Sequence, residues 1–297
     1  MTVGRFAPSP SGRMHLGNLF TALLAWLSVR SQHGKMLLRI EDLDPDRSKR
    51  EYIDALRDDL KWLGLDWDEE MPLQSTRSDF YACAFAQLPT YPCFCSRNEL
   101  HDASAPHASD GKLIYAGTCR NLTDAERKAK ARKPAWRVCV PNKEIGFTDG
   151  VFGEQKKNLA EECGDFIVRR SDGVYAYQLA VVCDDADGGV TEVVRGCDLL
   201  DSTAQQIWLY QTLRLSVPQF YHVPLLVAPD GKRLSKREKS LDMAHLRLKY
   251  QPEVLLGILA RMTGLTDTDK SVSTAELIGL FSWDKIGKDP IVVNSLI

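Results

Sequence analysis

No apolar run in this 297-residue chain approaches the roughly twenty residues that a membrane-spanning helix needs. The start, Met1-Thr2-Val3-Gly4-Arg5, has no apolar core ahead of a cleavage site, so it does not read as a secretion signal. The expectation is a cytoplasmic protein with no membrane partner. Strong charge is missing too: 38 Lys and Arg against 40 Asp and Glu leave a net −2. That argues against holding nucleic acid by bulk positive charge. A local basic track is still present at Arg127-Lys128-Ala129-Lys130-Ala131-Arg132-Lys133, with Arg137 beyond it. The sequence lacks internal repeats, and it lacks both Gly-x-Gly-x-x-Gly and a Walker loop with its Lys-Ser/Thr pair. Nothing in it demands more than a monomer. With no secretory signal, the eight cysteines read as reduced thiols or metal ligands rather than a disulfide frame.

What is there is concentrated near the start. Val3 and Phe6 suggest a short buried strand. Pro8 and Pro10 then fix φ and remove two backbone donors, so the chain leaves the sheet as a rigid extended turn. Gly12 and Gly17 let the backbone bend and lie close to a ligand. From Leu16 onward, Leu19, Leu23, Leu24 and Leu27 recur at helical spacing. A strand, a loop carrying Ser, Gly and His15, and a helix start form an anion-binding arrangement, with free N–H groups and a positive dipole end. The plain alternative is a Pro/Gly-rich turn with a surface histidine.

A second stretch changes the balance. Residues 223–228 form an apolar run, Pro229-Asp230-Gly231 a turn, and Lys232-Arg233-Leu234-Ser235-Lys236-Arg237 a basic loop. Four cations around one serine make a clamp for a polyphosphate. A basic loop alone is ordinarily solvated surface; together with the first stretch it is far more specific.

His15-Leu16-Gly17-Asn18 resembles the first signature of class I aminoacyl-tRNA synthetases, usually His-Ile-Gly-His, and Arg233-Leu234-Ser235-Lys236-Arg237 resembles the second, usually Lys-Met-Ser-Lys-Ser. The 5–12 stretch Arg-Phe-Ala-Pro-Ser-Pro-Ser-Gly is similar to the glutamyl/glutaminyl branch. So are Leu38-Arg39-Ile40-Glu41-Asp42-Leu43-Asp44 and Val194-Arg195-Gly196-Cys197-Asp198-Leu199. The resemblance runs over almost the whole chain. It implies an α/β fold, Rossmann-like, with an inserted zinc-containing subdomain and a short C-terminal helical region. The corresponding division is 1–90 and 173–245 for the two halves of the catalytic domain, 91–172 for the insertion and 246–297 for a stem-contact-like region.

The resemblance also assigns roles. His15 and the N–H groups around Gly17 would stabilise the phosphates of ATP, which comes with Mg2+. Lys236, with Arg233, Ser235 and Arg237, would grip the leaving pyrophosphate. Asn18 stands where the second His is usual, and it can still donate and accept; Arg233 stands for the first Lys and keeps its charge. Arg5, Ser9, Glu41, Tyr177 and Arg195 would contact L-glutamate. Arg5 or Arg195 would pair with the side-chain carboxylate, and Glu41 would receive the ammonium. The plainer alternative makes Glu41 and Arg195 a structural ion pair and Tyr177 a strand aromatic.

Cys93-x-Cys95 is by itself a weak zinc signal, to which Cys119 adds a third soft ligand. His101 and His107 are possible fourth ligands on residue type. The spacing Cys-x-Cys, then Tyr115-x-x-x-Cys119, resembles the zinc site of this branch, which implies Tyr115 as the fourth, with His107 as the alternative and one structural zinc in all.

About sixty residues follow Lys236, a length that resembles the short paralogues of this branch without an anticodon-reading domain. The resemblance implies activation of glutamate without tRNA, then transfer to queuosine in the anticodon stem-loop of tRNA(Asp). The competing reading is a shortened glutamyl-tRNA synthetase that charges the 3′ end.

In outline, helices are expected over 47–63, 77–88, 122–133, 202–213 and 253–262. Strands are expected over 36–40, 135–141, 173–184 and 192–198, with an exposed loop over 102–111.

Overall fold

A computed structural model describes residues 1–96, 114–232 and 241–293. The 102–111 loop and the second signature, residues 233–237, lie outside the described residues.

β1 (Val3–Phe6) leads through the proline-rich turn into α1 (Leu16–Ser31), and β2 (Lys35–Leu38) returns parallel to β1. α2 (Arg50–Trp62) connects to β3 (Glu69–Glu70), which runs parallel to β2. α3 is Ser78–Phe85. β4 (Thr90–Cys93), β5 (Ala135–Val138) and β8 (Ile167–Arg169) make an antiparallel sheet in the order β4-β5-β8. Between them fall α4 (Asp124–Lys128), the hairpin β6 (Glu144–Asp149) and β7 (Gly153–Asn158), and the single turn α5 (Leu159–Glu162). α6 (Tyr177–Asp187), β9 (Glu192–Gly196), α7 (Thr203–Thr212) and β10 (Gln219–Val223) follow, with β10 parallel to β9. β11 (Leu226–Val227), α8 (Met243–Lys249), α9 (Pro252–Met262), α10 (Thr274–Leu280) and β12 (Ile291–Val292) complete the described elements, with β12 parallel to β11.

Thr191 donates its N–H to the Val3 carbonyl at 2.9 Å, which sets β9 beside β1. The chain therefore steps outward from β1 to β2 on one side and from β9 to β10 on the other. The crevice beyond the carboxyl ends of β1 and β9 is thus a topological switch point, where open α/β sheets bind ligands. Strand alternation builds a core on each face. Met36, Leu38 and Val194 join α1, α2, α8, α9 and α10 on one side, while Leu37, Val193 and Phe220 join α6 and α7 on the other. α1 lies so close to β1 that a Cβ on Gly4 would meet Val29 Cγ2 at 2.3 Å. Ile145, Leu159 and Phe166 belong to the second core, so the β6–β7 hairpin and α5 share apolar contacts with the parallel strands.

One element departs from expectation in kind. Residues 173–184 read as a strand, but the chain forms α6. Leu179, Ala180, Val181, Val182 and Cys183 are all buried; a helix enclosed on every side and a buried strand leave the same unbroken apolar run. The expected helix over 122–133 is only the five residues of α4, opened by a capping box between Thr123 and Glu126. Ser202 precedes α7, but its side chain makes no capping bond; the helix is entered from a 3-10 turn over Cys197–Ser202.

Candidate active site

The carboxyl ends of β1 and β9 open into a cleft of about 450 Å³. Arg5, Ser9, His15, Gly17, Asn18, Glu41, Tyr177 and Arg195, the described residues expected to meet ATP or glutamate, all line it.

His15 is the N-cap of α1. Its Nδ1 accepts from Gly17 N at 3.1 Å, and Asn18 Oδ1 accepts from His15 N at 3.0 Å. Because Nδ1 is an acceptor, a neutral His15 carries its proton on Nε2, which makes that atom a donor. Two details were not legible beforehand. The Gly17 N–H is engaged by the imidazole. Asn18, where a second histidine is usual, closes the capping box. Met243 N donates to Met14 O at 2.9 Å, and His15 bridges to Asp242. The segment that follows the second signature is thus bonded directly to the first.

Under the first loop lies a charge network that sequence reading missed. Asp185 on α6 accepts from Arg39 and, at 3.3 Å, from Arg5 Nε; Arg5 Nη1 also donates to Val194 O at 3.1 Å. Arg39 Nη2 donates to Glu41 Oε1 at 3.1 Å. Burial alone would raise the Asp185 carboxyl, but Arg39 and Arg5 hold it below its ordinary range. For Glu41 burial prevails over Arg39, and its carboxyl sits above the usual value. Glu41 is joined to Arg39, not to Arg195. The signal for Asp185 lay in two adjacent acids within an apolar run, which only a helix could bury toward cationic partners.

Arg195 is surrounded differently. Its Nε donates to His222 Nε2 at 3.0 Å, Nη1 to Gln206 Oε1 at 2.7 Å and Nη2 to Thr203 Oγ1 at 2.8 Å and Leu199 O at 3.4 Å. These partners are neutral oxygens and an imidazole nitrogen. Burial, reinforced by nearby Arg5, pulls the Arg195 guanidinium below its ordinary value, against opposing contributions from Tyr177 and Asp185. A buried guanidinium set among neutral acceptors at the edge of a cleft keeps its charge and can pair with an anion that enters. Tyr177, expected on a strand, instead opens α6 at the same cleft.

The class I tRNA synthetase (E and Q) catalytic-domain family matches residues 1–294. A glutamyl-Q tRNA(Asp) synthetase from Symbiobacterium thermophilum is 47% identical over 98% of this chain and 95% of its own length. One from Deinococcus radiodurans is 50% identical over 95% of this chain and 97% of its own. The chain belongs to the glutamyl-Q tRNA(Asp) synthetase family. It is a ligase of the class I tRNA synthetase kind. The fold extends to a glutamate tRNA ligase from Elizabethkingia meningosepticum, with a TM-score of 0.84 and 27% identity over 99% of this chain and 67% of that one.

In this member of the glutamyl-Q tRNA(Asp) synthetase family, Cys93, Cys95 and Cys119 bring their sulfurs within 4.8 Å of one another. Tyr115 Oη lies 3.4 Å from Cys93 Sγ and 3.9 Å from Cys95 Sγ, and Cys95 Sγ lies 3.6 Å from Cys119 Sγ. A tetrahedral zinc with Zn–S bonds of about 2.3 Å spaces its sulfurs by roughly 3.8 Å, so this donor set fits such an ion. Arg137 Nε reaches Cys93 Sγ at 3.3 Å. Burial alone would raise the Cys93 thiol, but Tyr115, Cys95 and Arg137 bring it below its ordinary value; Cys95, buried beside Cys119 and Cys93, is pushed up to about 12. His101 and His107 lie outside the described residues. Among the described residues, no helix is long and apolar enough to cross a membrane.

Proposed function

We propose that this protein activates L-glutamate with ATP without needing tRNA, and then transfers it to the queuosine base in the anticodon stem-loop of tRNA(Asp). The observation that carries the reading is the match to glutamyl-Q tRNA(Asp) synthetases over 95–98% of their lengths. The cleft geometry supports its first half. Arg195, among neutral partners, would take the side-chain carboxylate, with Arg5 and Tyr177 beside it. Glu41, bonded to Arg39 with Arg5 nearby but buried enough that its carboxyl still sits above the usual value, would receive the α-ammonium. The α-carboxylate oxygen then attacks the α-phosphorus of ATP, the bond to pyrophosphate breaks, and glutamyl-adenylate forms. His15 Nε2–H at the start of α1 would donate to the phosphates. Lys236, Arg233 and Ser235, which lie outside the described residues, would hold the pyrophosphate with Mg2+. In the second step a hydroxyl of the modified base attacks the acyl carbon and AMP leaves. No covalent enzyme intermediate is required.

Zinc, held by Cys93, Cys95, Cys119 and Tyr115, would be structural, because four protein ligands leave no open position. We read the protein as a cytoplasmic monomer divided as the sequence suggests, with residues 91–172 as the insertion.

The deciding experiment is transfer of labelled glutamate, with ATP, to tRNA from cells that make queuosine and from cells that do not. Label confined to the first pool, and surviving prior oxidation of 3′ ends, is the expected result. Equal labelling of both pools, abolished by oxidation, would instead identify a 3′-end synthetase. Lys236→Ala should depress glutamate-dependent pyrophosphate exchange by about 100-fold or more, and near-normal exchange would remove Lys236 from the chemistry.

A further inference from the structure

Behind Arg195 stands a chain of buried groups that the activation chemistry does not itself use. Asp149 closes β6, and His222 lies on β10; both are fully buried. His222 Nδ1 and Asp149 Oδ2 are 2.6 Å apart, while His222 Nε2 is 3.0 Å from Arg195 Nε. An arginine Nε can only donate, so His222 Nε2 must be a bare acceptor. The single ring proton then belongs on Nδ1, where Asp149 takes it. One geometry thus fixes the charge of the imidazole, its tautomer and its orientation.

Asp149 is itself immobilised. It accepts from Val151 N at 3.0 Å, Phe152 N at 2.8 Å and His222 N at 3.2 Å. Gly150 N donates to Phe220 O at 2.8 Å, and a Cβ on Gly150 would meet the Tyr221 ring at 2.0 Å. The hairpin turn is therefore seated hard against β10. On its open side Arg195 lies over the Phe220 ring at 5.3 Å.

We propose that Asp149 and His222 are positioning residues that set amino-acid specificity, holding Arg195 in place through a neutral acceptor so that its charge is kept for the substrate carboxylate. This deepens, and rests on, the glutamate-activating reading. A carboxylate in the place of His222 would orient Arg195 but neutralise it, and a cation would repel it. A neutral imidazole does neither. Arg5 and Arg39, by contrast, share Asp185. A glutamine side chain offers Arg195 an amide in place of an anion, so the preference for glutamate depends on that charge remaining uncompensated. Burial holds the His222 imidazole below its ordinary value despite Asp149, with Arg195 adding to the effect, in agreement with the neutral ring.

The test compares Asp149→Asn, His222→Leu and His222→Gln in the full chain. Asparagine can still accept the turn's backbone N–H groups but presents an amide that favours the opposite imidazole tautomer. For Asp149→Asn and His222→Leu the expected result is a rise in KM for glutamate of about ten-fold, with kcat and KM for ATP little changed and discrimination against glutamine reduced. His222→Gln, which supplies an acceptor and a donor, should recover most of the loss. Nitrogen spectra of labelled histidine should give a protonated Nδ1 on His222 in the parent and a protonated Nε2 in Asp149→Asn. An unchanged KM for glutamate, or equal losses in every parameter without rescue by glutamine, would overturn the inference. If the spectra are as expected but the parent shows no glutamate-dependent exchange, the glutamate-activating reading fails and the positioning geometry stands.

Discussion

Arg195 and Arg5 both reach the cleft, and their surroundings separate them. Arg5 is bonded to Asp185, whereas Arg195 meets neutral acceptors. Removing Arg195 should therefore cost more selectivity than removing Arg5. Arg195→Gln is expected to lower kcat/KM for glutamate by about 100-fold, the usual scale for deleting one partner of a desolvated charge pair. Steady-state pyrophosphate exchange checks this, and a loss below about three-fold would reassign the carboxylate to Arg5. Arg195 and Glu41 were legible because each sits in a short run whose neighbours carry a pattern. His222 and Asp149 were not: they lie 73 residues apart, and neither stands in a local motif. Only the seating of a hairpin turn on a strand brings them together.

At the scale of elements, capping explains what an unusual signature residue does. Asn18 closes the N-terminal box of α1, so Asn18→Ala should lower stability by about 1 kcal/mol. Denaturant unfolding checks this, and an unchanged midpoint would mean that the cap contributes nothing. α6 shows where pattern reading stops. An enclosed helix carries no polar stripe, so Tyr177 was assigned to the wrong kind of element although its place at the cleft was anticipated. The cysteine cluster, by contrast, was anticipated through its resemblance to the zinc site of this branch, and a turn does return Cys119 to the strand end that carries Cys93 and Cys95. On the proposed zinc reading, Cys119→Ser should release the ion and speed amide exchange in β4 and at residues 114–120. Retention of one zinc by elemental analysis would point to another ligand set.

Across the molecule, Asp59 ties distant parts of the chain together. It is buried on α2 and pairs with Arg13 in the first signature loop at 3.4 Å and with Arg247 on α8 at 2.9 Å. Asp59→Asn should destabilise the protein by roughly 2 kcal/mol and should raise hydrogen exchange in α8 more than in α9. Uniform exchange across both helices would remove the node. The strands at 36–40 and 192–198 were visible as short apolar runs. The sharing of the second core between the β6–β7 hairpin and α6 was not, because no periodicity reports which surfaces of two separate segments meet.

That seating bears on inheritance. Asp149 ends the first strand of the β6–β7 hairpin, yet through His222 it stands behind Arg195 at the cleft. On the proposed reading of Arg195, a chimera that took residues 91–172 from a relative would import part of that arginine's support along with the graft. Exchanges that keep the Asp149–His222 pairing intact should preserve glutamate preference, and those that break it should not.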